Sequence, residues 1–110
     1  MNRVTLTGRL TKDPVTAERG GTRVCDLRIA ENGRNGEPMY VDVAIFGRQA
    51  EACAKHLRKG RLVAVSGQLR YSQWRGPDGQ MRSKHSIAAQ LVEFLDPKGS
   101  QQRESEPAAA

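Results

Sequence analysis

Apolar side chains recur at every second position over most of this chain. In residues 2–10, Val4, Leu6 and Leu10 share one parity, and Arg3, Thr5, Thr7 and Arg9 share the other. That period of two predicts a half-buried strand, with Gly8 at a bulge or sharp coil. Lys12, Asp13 and Pro14 end the run, and Arg19-Gly20-Gly21 makes a turn. A second strand is expected over 22–30, with Cys25, Leu27 and Ile29 inward and Val24, Asp26 and Arg28 outward. Residues 31–38 read ENGRNGEP, whose two Asn-Gly steps predict a hairpin loop. In a third strand over 39–46, Met39, Val41, Val43 and Ile45 form the core face, while Tyr40, Asp42, Ala44 and Phe46 point outward.

Only one segment switches cleanly to a helical period. Ala50, Cys53, Ala54 and Leu57 follow i, i+3, i+4, i+7, which predicts a helix from Arg48 to Lys59. Arg58 and Lys59 suit its negative end, and Gly60 is placed for the cap. A long fourth strand over 61–74 turns Val63, Val65 and Leu69 inward, with Gly67 at a bend. After the turn RGPDGQ, residues 81–95 return as a fifth strand with Ile87, Ala89 and Leu91 on one parity. Residues 86–95 also fit a helical period, but the preceding Pro-Asp-Gly turn favours a hairpin return. Residues 97–110 have no apolar period, so a single domain over 1–96 followed by a disordered tail is expected. Three strands, one helix and two strands, with glycine bending the fourth, is the order of the all-β, five-stranded Greek-key barrel called the OB-fold. Many such barrels bind oligonucleotides on one outer face and its loops.

Charge narrows the choice of partner. The 110 residues carry a net charge of +6. The sequence pI is about 9.9. Arginine outnumbers lysine, which favours forked contacts to phosphate or carboxylate and stacking on rings. Nucleic acid, an acidic protein and anionic lipid all fit such a balance. No apolar run reaches the length of a membrane span and no signal-peptide pattern opens the chain, so a cytoplasmic protein without membrane contact is expected. Cys25 and Cys53 are too few for a disulfide scaffold and share the apolar stripes of their elements, so buried thiols are predicted. A zinc site from Cys25, Cys53, His56 and His85 is the sharper alternative, although its spacing fits no common zinc pattern. A disulfide across a symmetry axis is the other. No metal or cofactor is expected. The carboxylates are scattered and no Ser-His-Asp or Cys-His arrangement is evident, so no catalytic residue is expected either.

The outward aromatics then stand out. Tyr40 and Phe46 lie on the polar parity of the third strand, and Trp74 shares that of the fourth with Arg70. Arg48 follows Phe46, Arg75 follows Trp74, and Arg28 and Arg34 sit in the neighbouring strand and loop. Rings that stack on bases beside guanidinium groups that pair with phosphates suit a single nucleic-acid strand; stacking is worth roughly 1–3 kcal/mol per base and tolerates any base. Duplex DNA hides its base faces. Burial against the helix, a loop or another subunit is the alternative, above all for Phe46, and Tyr71 has the inward parity of a barrel cap. Asp26 and Asp42 share the outward parity and would repel phosphate unless paired, for example with Arg28, or set in an intersubunit surface. Single-stranded RNA and an acidic protein partner remain rival ligands.

The motifs NRVTLTGRLTKDP, YVDVAIFGRQAE and HLRKGRLVAVSGQLR, followed by Trp74 and Asp78-Gly79-Gln80-Met81-Arg82, resemble the DNA-binding domain of the bacterial single-stranded DNA-binding protein family. The resemblance covers residues 1–95. It implies an OB-fold, assembly as a homotetramer, and wrapping of single-stranded DNA in replication, recombination and repair, near the nucleoid. Tyr40, Phe46 and Trp74 match the family's base-stacking positions, and Arg48, Lys59 and Arg70 match positions of basic DNA contacts. Asn2, Arg3, Val4, Thr5 and Leu6 resemble the first strand through which members pair. Two features depart from the pattern. The loop ENGRNGEP lacks the tryptophan many members carry there, leaving Arg34 in its place. The ending ESEPAAA lacks an acidic tip with terminal Phe, which puts recruitment of partner enzymes by the tail in doubt.

Overall fold

A computed structural model of the chain describes residues 1–33 and 35–95. Arg34 and residues 96–110, which include the expected tail, lie outside the described residues. Six strands and one helix follow in order: β1 (Val4–Leu10), β2 (Val15–Arg19), β3 (Thr22–Asn32), β4 (Pro38–Phe46), α1 (Arg48–His56), β5 (Leu62–Arg75) and β6 (Met81–Phe94). They form one sheet in the order β1-β5-β6-β4-β3-β2, and β1 also pairs with β3. That extra pairing closes β1, β5, β6, β4 and β3 into a five-stranded barrel. This is the OB-fold, with its helix between β4 and β5. All the pairings are antiparallel except β4–β6, which is parallel and spans only Asp42–Ile45 against Ser86–Ala89.

The core follows from alternation. Cys25, Leu27 and Ile29 of β3, Val43 and Ile45 of β4, Val63 and Val65 of β5, and Ile87 of β6 are all buried. Ala50, Cys53 and Leu57 bring the apolar stripe of α1 into the same cluster. The helix ends at His56, one turn before the predicted Lys59. Leu57 is already extended (φ −99°, ψ 150°) and fully buried. Beyond it, the Arg61 amide donates to the Arg58 carbonyl and the Lys59 amide to Asp13 Oδ1. Gly60 (φ 93°) therefore serves that tight turn instead of capping the helix.

Strand β2 has no counterpart among the elements that alternation predicts. It pairs with Thr22–Asp26 of β3 through the Gly20-Gly21 turn. Val24, expected to face outward in solvent, lies between Ala17 of β2 and Phe46 of β4 and is fully buried. Gly8 makes no bulge, because β1 passes it in unbroken register with β5. A side chain there would collide with the Ala30 carbonyl where β3 meets β1.

The bulge lies in β6. Ser66 faces Leu91 while Gly67 faces Ala89, so Gln90 is an extra residue and the parity of β6 flips there. Leu91, predicted inward, is therefore exposed, and Val92 packs against the core in its place. Gln49 of α1 secures the bulge: its Nε2 donates to the Gln90 carbonyl at 2.9 Å, and its Oε1 accepts from the Val92 amide at 3.2 Å.

Three other inward positions are also exposed, for a different reason. β1 pairs with β5 only as far as Gly67 and β4 pairs with β6 only from Ser86 onward, so Tyr71–Arg75 and their β6 partners project as a two-stranded arm. Leu69, at the base of this arm and past the end of β1, and Tyr71, on the arm, are 44% and 56% exposed. Tyr71 caps nothing; its ring tilts against His85 with centroids 5.0 Å apart. Met39 sits on the end of the β3–β4 hairpin that likewise extends past the parallel pairing, and it is exposed. The Asn2 side chain ties the base of the first arm, donating to the Leu69 carbonyl at 3.0 Å and accepting from its amide at 2.8 Å. Among the described residues, no helix is long and apolar enough to cross a membrane.

Candidate nucleic-acid interface

Strand register assembles one outer face from four strands. Directly paired residues project to the same side. Arg28 of β3 faces Asp42 of β4, Asp42 faces Ser86 of β6, and Ser86 faces Arg70 of β5. Two residues along the arm, Lys84 faces Ser72, and beyond it Arg82 faces Trp74. In the other direction along β4 the row passes Ala44 to Phe46, and Tyr40 stands at its near end opposite Ala30. Tyr40, Phe46 and Trp74 therefore belong to one continuous outer face, and each keeps 44–51% of its surface exposed. Phe46 is not sealed by the helix that begins after it. Along β4, Tyr40 and Phe46 are six residues apart, roughly 20 Å.

The cations around these rings are in different states. The Arg28 guanidinium stacks over Tyr40, 5.3 Å from the ring centroid, and also pairs with Asp42 at 3.0 Å. Lys84 holds the other oxygen of Asp42 at 2.9 Å. Partial burial pushes the Asp42 carboxyl up, but hydrogen bonds from Lys84 and Arg28, together with their charges, outweigh it and hold it below its ordinary value. Asp26 is paired with Arg19 at 2.9 Å. Thus neither outward carboxylate stands as a bare repulsive charge. Arg70 is exposed on this face, and Arg48 is exposed at the first residue of α1, where a cation opposes the helix dipole.

Two predicted contacts stand apart from the rings. Arg75 has the opposite parity to Trp74 and donates to the Gly79 carbonyl at 2.6 Å, pinning its own turn. Lys59 precedes β5, whereas Trp74 lies near the far end of that strand, about 40 Å of extended chain away. A groove of about 420 Å³ runs across the middle of the face, lined by Asp26, Asp42, Ala44, Ser72, Lys84 and Ser86, with Lys12 and Arg19 also on its wall. Lys12, Arg19, Arg82 and Lys84 were not singled out from sequence. Carrying the hairpin register back from the Pro-Asp-Gly turn puts Arg82 beside Trp74, a signal that was available for that residue and for Lys84. Nothing local marks Lys12 or Arg19.

Among the described residues the first strand has a free side: Val4–Gly8 pair only with β5, and β1 meets β3 only at Arg9 and Leu10. Both thiols are buried. Burial, with the nearby Cys25, pushes the Cys53 thiol up to about 12, and burial with Asp26 raises Cys25. Their burial runs against a disulfide across a symmetry axis. His85, needed for the zinc alternative, is on the arm against Tyr71. No group of three metal-ligating side chains occurs among the described residues.

Comparison with known proteins agrees with this architecture. The sequence model of the single-strand binding protein family matches residues 1–95. The chain belongs to the single-strand binding protein family. The single-stranded DNA-binding protein of Wolinella succinogenes is 36% identical over 110 residues, covering 92% of this chain and 68% of that protein. Its namesake in Clostridium tetani is 36% identical, covering 87% of this chain and 71% of that protein. That of Bacillus cereus is 37% identical, covering 96% and 67%. In this member of the family, the outer face thus carries three exposed rings and a groove with paired charges at its centre.

Proposed function

We propose that the chain binds single-stranded DNA on the β3–β4–β6–β5 face without reading its sequence, in support of replication, recombination and repair. The observation that carries this reading is the exposure of Tyr40, Phe46 and Trp74 on one register-continuous face. Bases stack on these rings, while Arg28, Arg48 and Arg70 meet the phosphates nearby. Lys59 and Arg75 extend the path as the strand leaves the face, and Arg34, between β3 and β4 in sequence, is proposed as a further phosphate contact. Membership of a DNA-binding family with no catalytic machinery supports binding without chemistry. The free side of β1, running through Val4, Thr5 and Leu6 with Asn2 and Arg3 leading in, supports pairing with a second copy by strand addition. Two such pairs make the homotetramer. The expected setting is the bacterial cytoplasm, on DNA exposed at the nucleoid.

Trp74 is the single tryptophan, so its fluorescence reports directly on the face. Oligo-dT should quench it, and a duplex of equal length should not. The log–log slope of affinity against salt should be about −0.7 per phosphate neutralised. Trp74→Ala should weaken binding to all sequences by roughly 1–3 kcal/mol, read by competition or anisotropy. Equal quenching by duplex would defeat the reading. Tighter binding of an RNA oligomer of the same sequence would move the ligand to RNA. Sedimentation of the same sample should show four copies per particle.

A further inference from the structure

Asp42 is held in an unusual way for an exposed carboxylate. Each of its oxygens meets a separate cation, Oδ1 with Arg28 from β3 at 3.0 Å and Oδ2 with Lys84 from β6 at 2.9 Å. It is an anion clamped between the two neighbouring strands, in a groove that has Lys12 and Arg19 on its wall. A groove of about 420 Å³ has ample room for a phosphodiester above the clamp. All three side chains are partly exposed, at 44%, 34% and 48%, so solvent screens the pairs and a polyanion can compete for the cations.

We propose that Arg28 and Lys84, with Lys12 and Arg19 beside them, form a phosphate subsite at the centre of the face, and that Asp42 occupies it as an internal competitor. The inference rests on the single-stranded DNA reading and gives that strand a fixed anchor point. A phosphate arriving between Tyr40 and Trp74 displaces the carboxylate and takes over its two donors. The carboxylate keeps both donors poised while lowering the net gain on binding, which eases release of the strand.

Asp42→Asn keeps the shape and removes the competing charge. In oligo-dT titrations of the full chain over a range of salt, this variant should bind several-fold more tightly at low salt, because the phosphate no longer has to displace a carboxylate. Lys84→Met should weaken the Asp42→Asn variant more than it weakens the native chain. In the native background, Lys84→Met offers a test that does not depend on Asp42→Asn folding. It makes the slope shallower by about 0.7 if Lys84 meets phosphate, and leaves it unchanged if Lys84 serves Asp42 alone. A native chain that binds while Asp42→Asn leaves affinity unchanged, or weakens binding, overturns the subsite only. A native chain whose Trp74 is not quenched at all overturns the DNA reading beneath it.

Discussion

Cys53 shows how one side chain ties the helix to the barrel. It is 1% exposed, and its thiol is pushed to about 12 by burial and by Cys25. The thiol of the unfolded chain ionises near 9. Below that value both states keep the proton and the contribution to stability is complete. As pH rises from there towards 12, only the unfolded chain ionises, so stability falls with alkali, by on the order of 4 kcal/mol at the upper limit. Urea unfolding at stepwise higher pH should show this loss, and Cys53→Ala should flatten the pH dependence while lowering the baseline through its cavity. The position was legible in the sequence because it sits on a four-residue helical stripe. The environment of Asp42 was legible only by half. Its outward parity and a partner in Arg28 followed from alternation, but Lys84 belongs to a strand whose register with β4 no local pattern reveals.

At the scale of elements, α1 acts through Gln49 as much as through its apolar stripe. The bulge at Gln90 breaks the β5–β6 ladder, and Gln49 supplies what the ladder cannot, one donor and one acceptor. Gln49→Ala should leave both backbone groups without that partner and cost about 1–3 kcal/mol in thermal or urea unfolding. Gln49→Glu should fall in between, because it still accepts from Val92 but repels the Gln90 carbonyl. Alternation finds five strands, and the helical period finds α1 although it ends at His56 and not Lys59, since each has a half-buried face. It missed β2, a five-residue strand whose Val15, Glu18 and Arg19 are exposed and which has no apolar face of its own. It also misplaced Leu91, because a bulge in one strand shows only in its partner's register. For Met39 and Leu69 the parity was right. What parity cannot tell is whether a face has anything packed against it, and both hairpins outrun the barrel.

For the whole molecule, closure depends on contacts of very unequal extent. β3–β4 and β5–β6 are long hairpins of neighbouring segments, held together locally. The two halves meet through α1, through the strand pairings of β1, and through the four parallel residue pairs between Asp42–Ile45 and Ser86–Ala89. Of these, the parallel stretch lies directly under the groove, where Asp42 bonds across to Lys84. It is a short seam between stretches far apart in the chain, whereas each hairpin can zip from its own turn. In hydrogen exchange of the native protein, amides of the seam should swap with solvent ahead of those deep in either hairpin. A strand of DNA lying across it would then act as a stitch, slowing that breathing where the two hairpins meet beneath the groove.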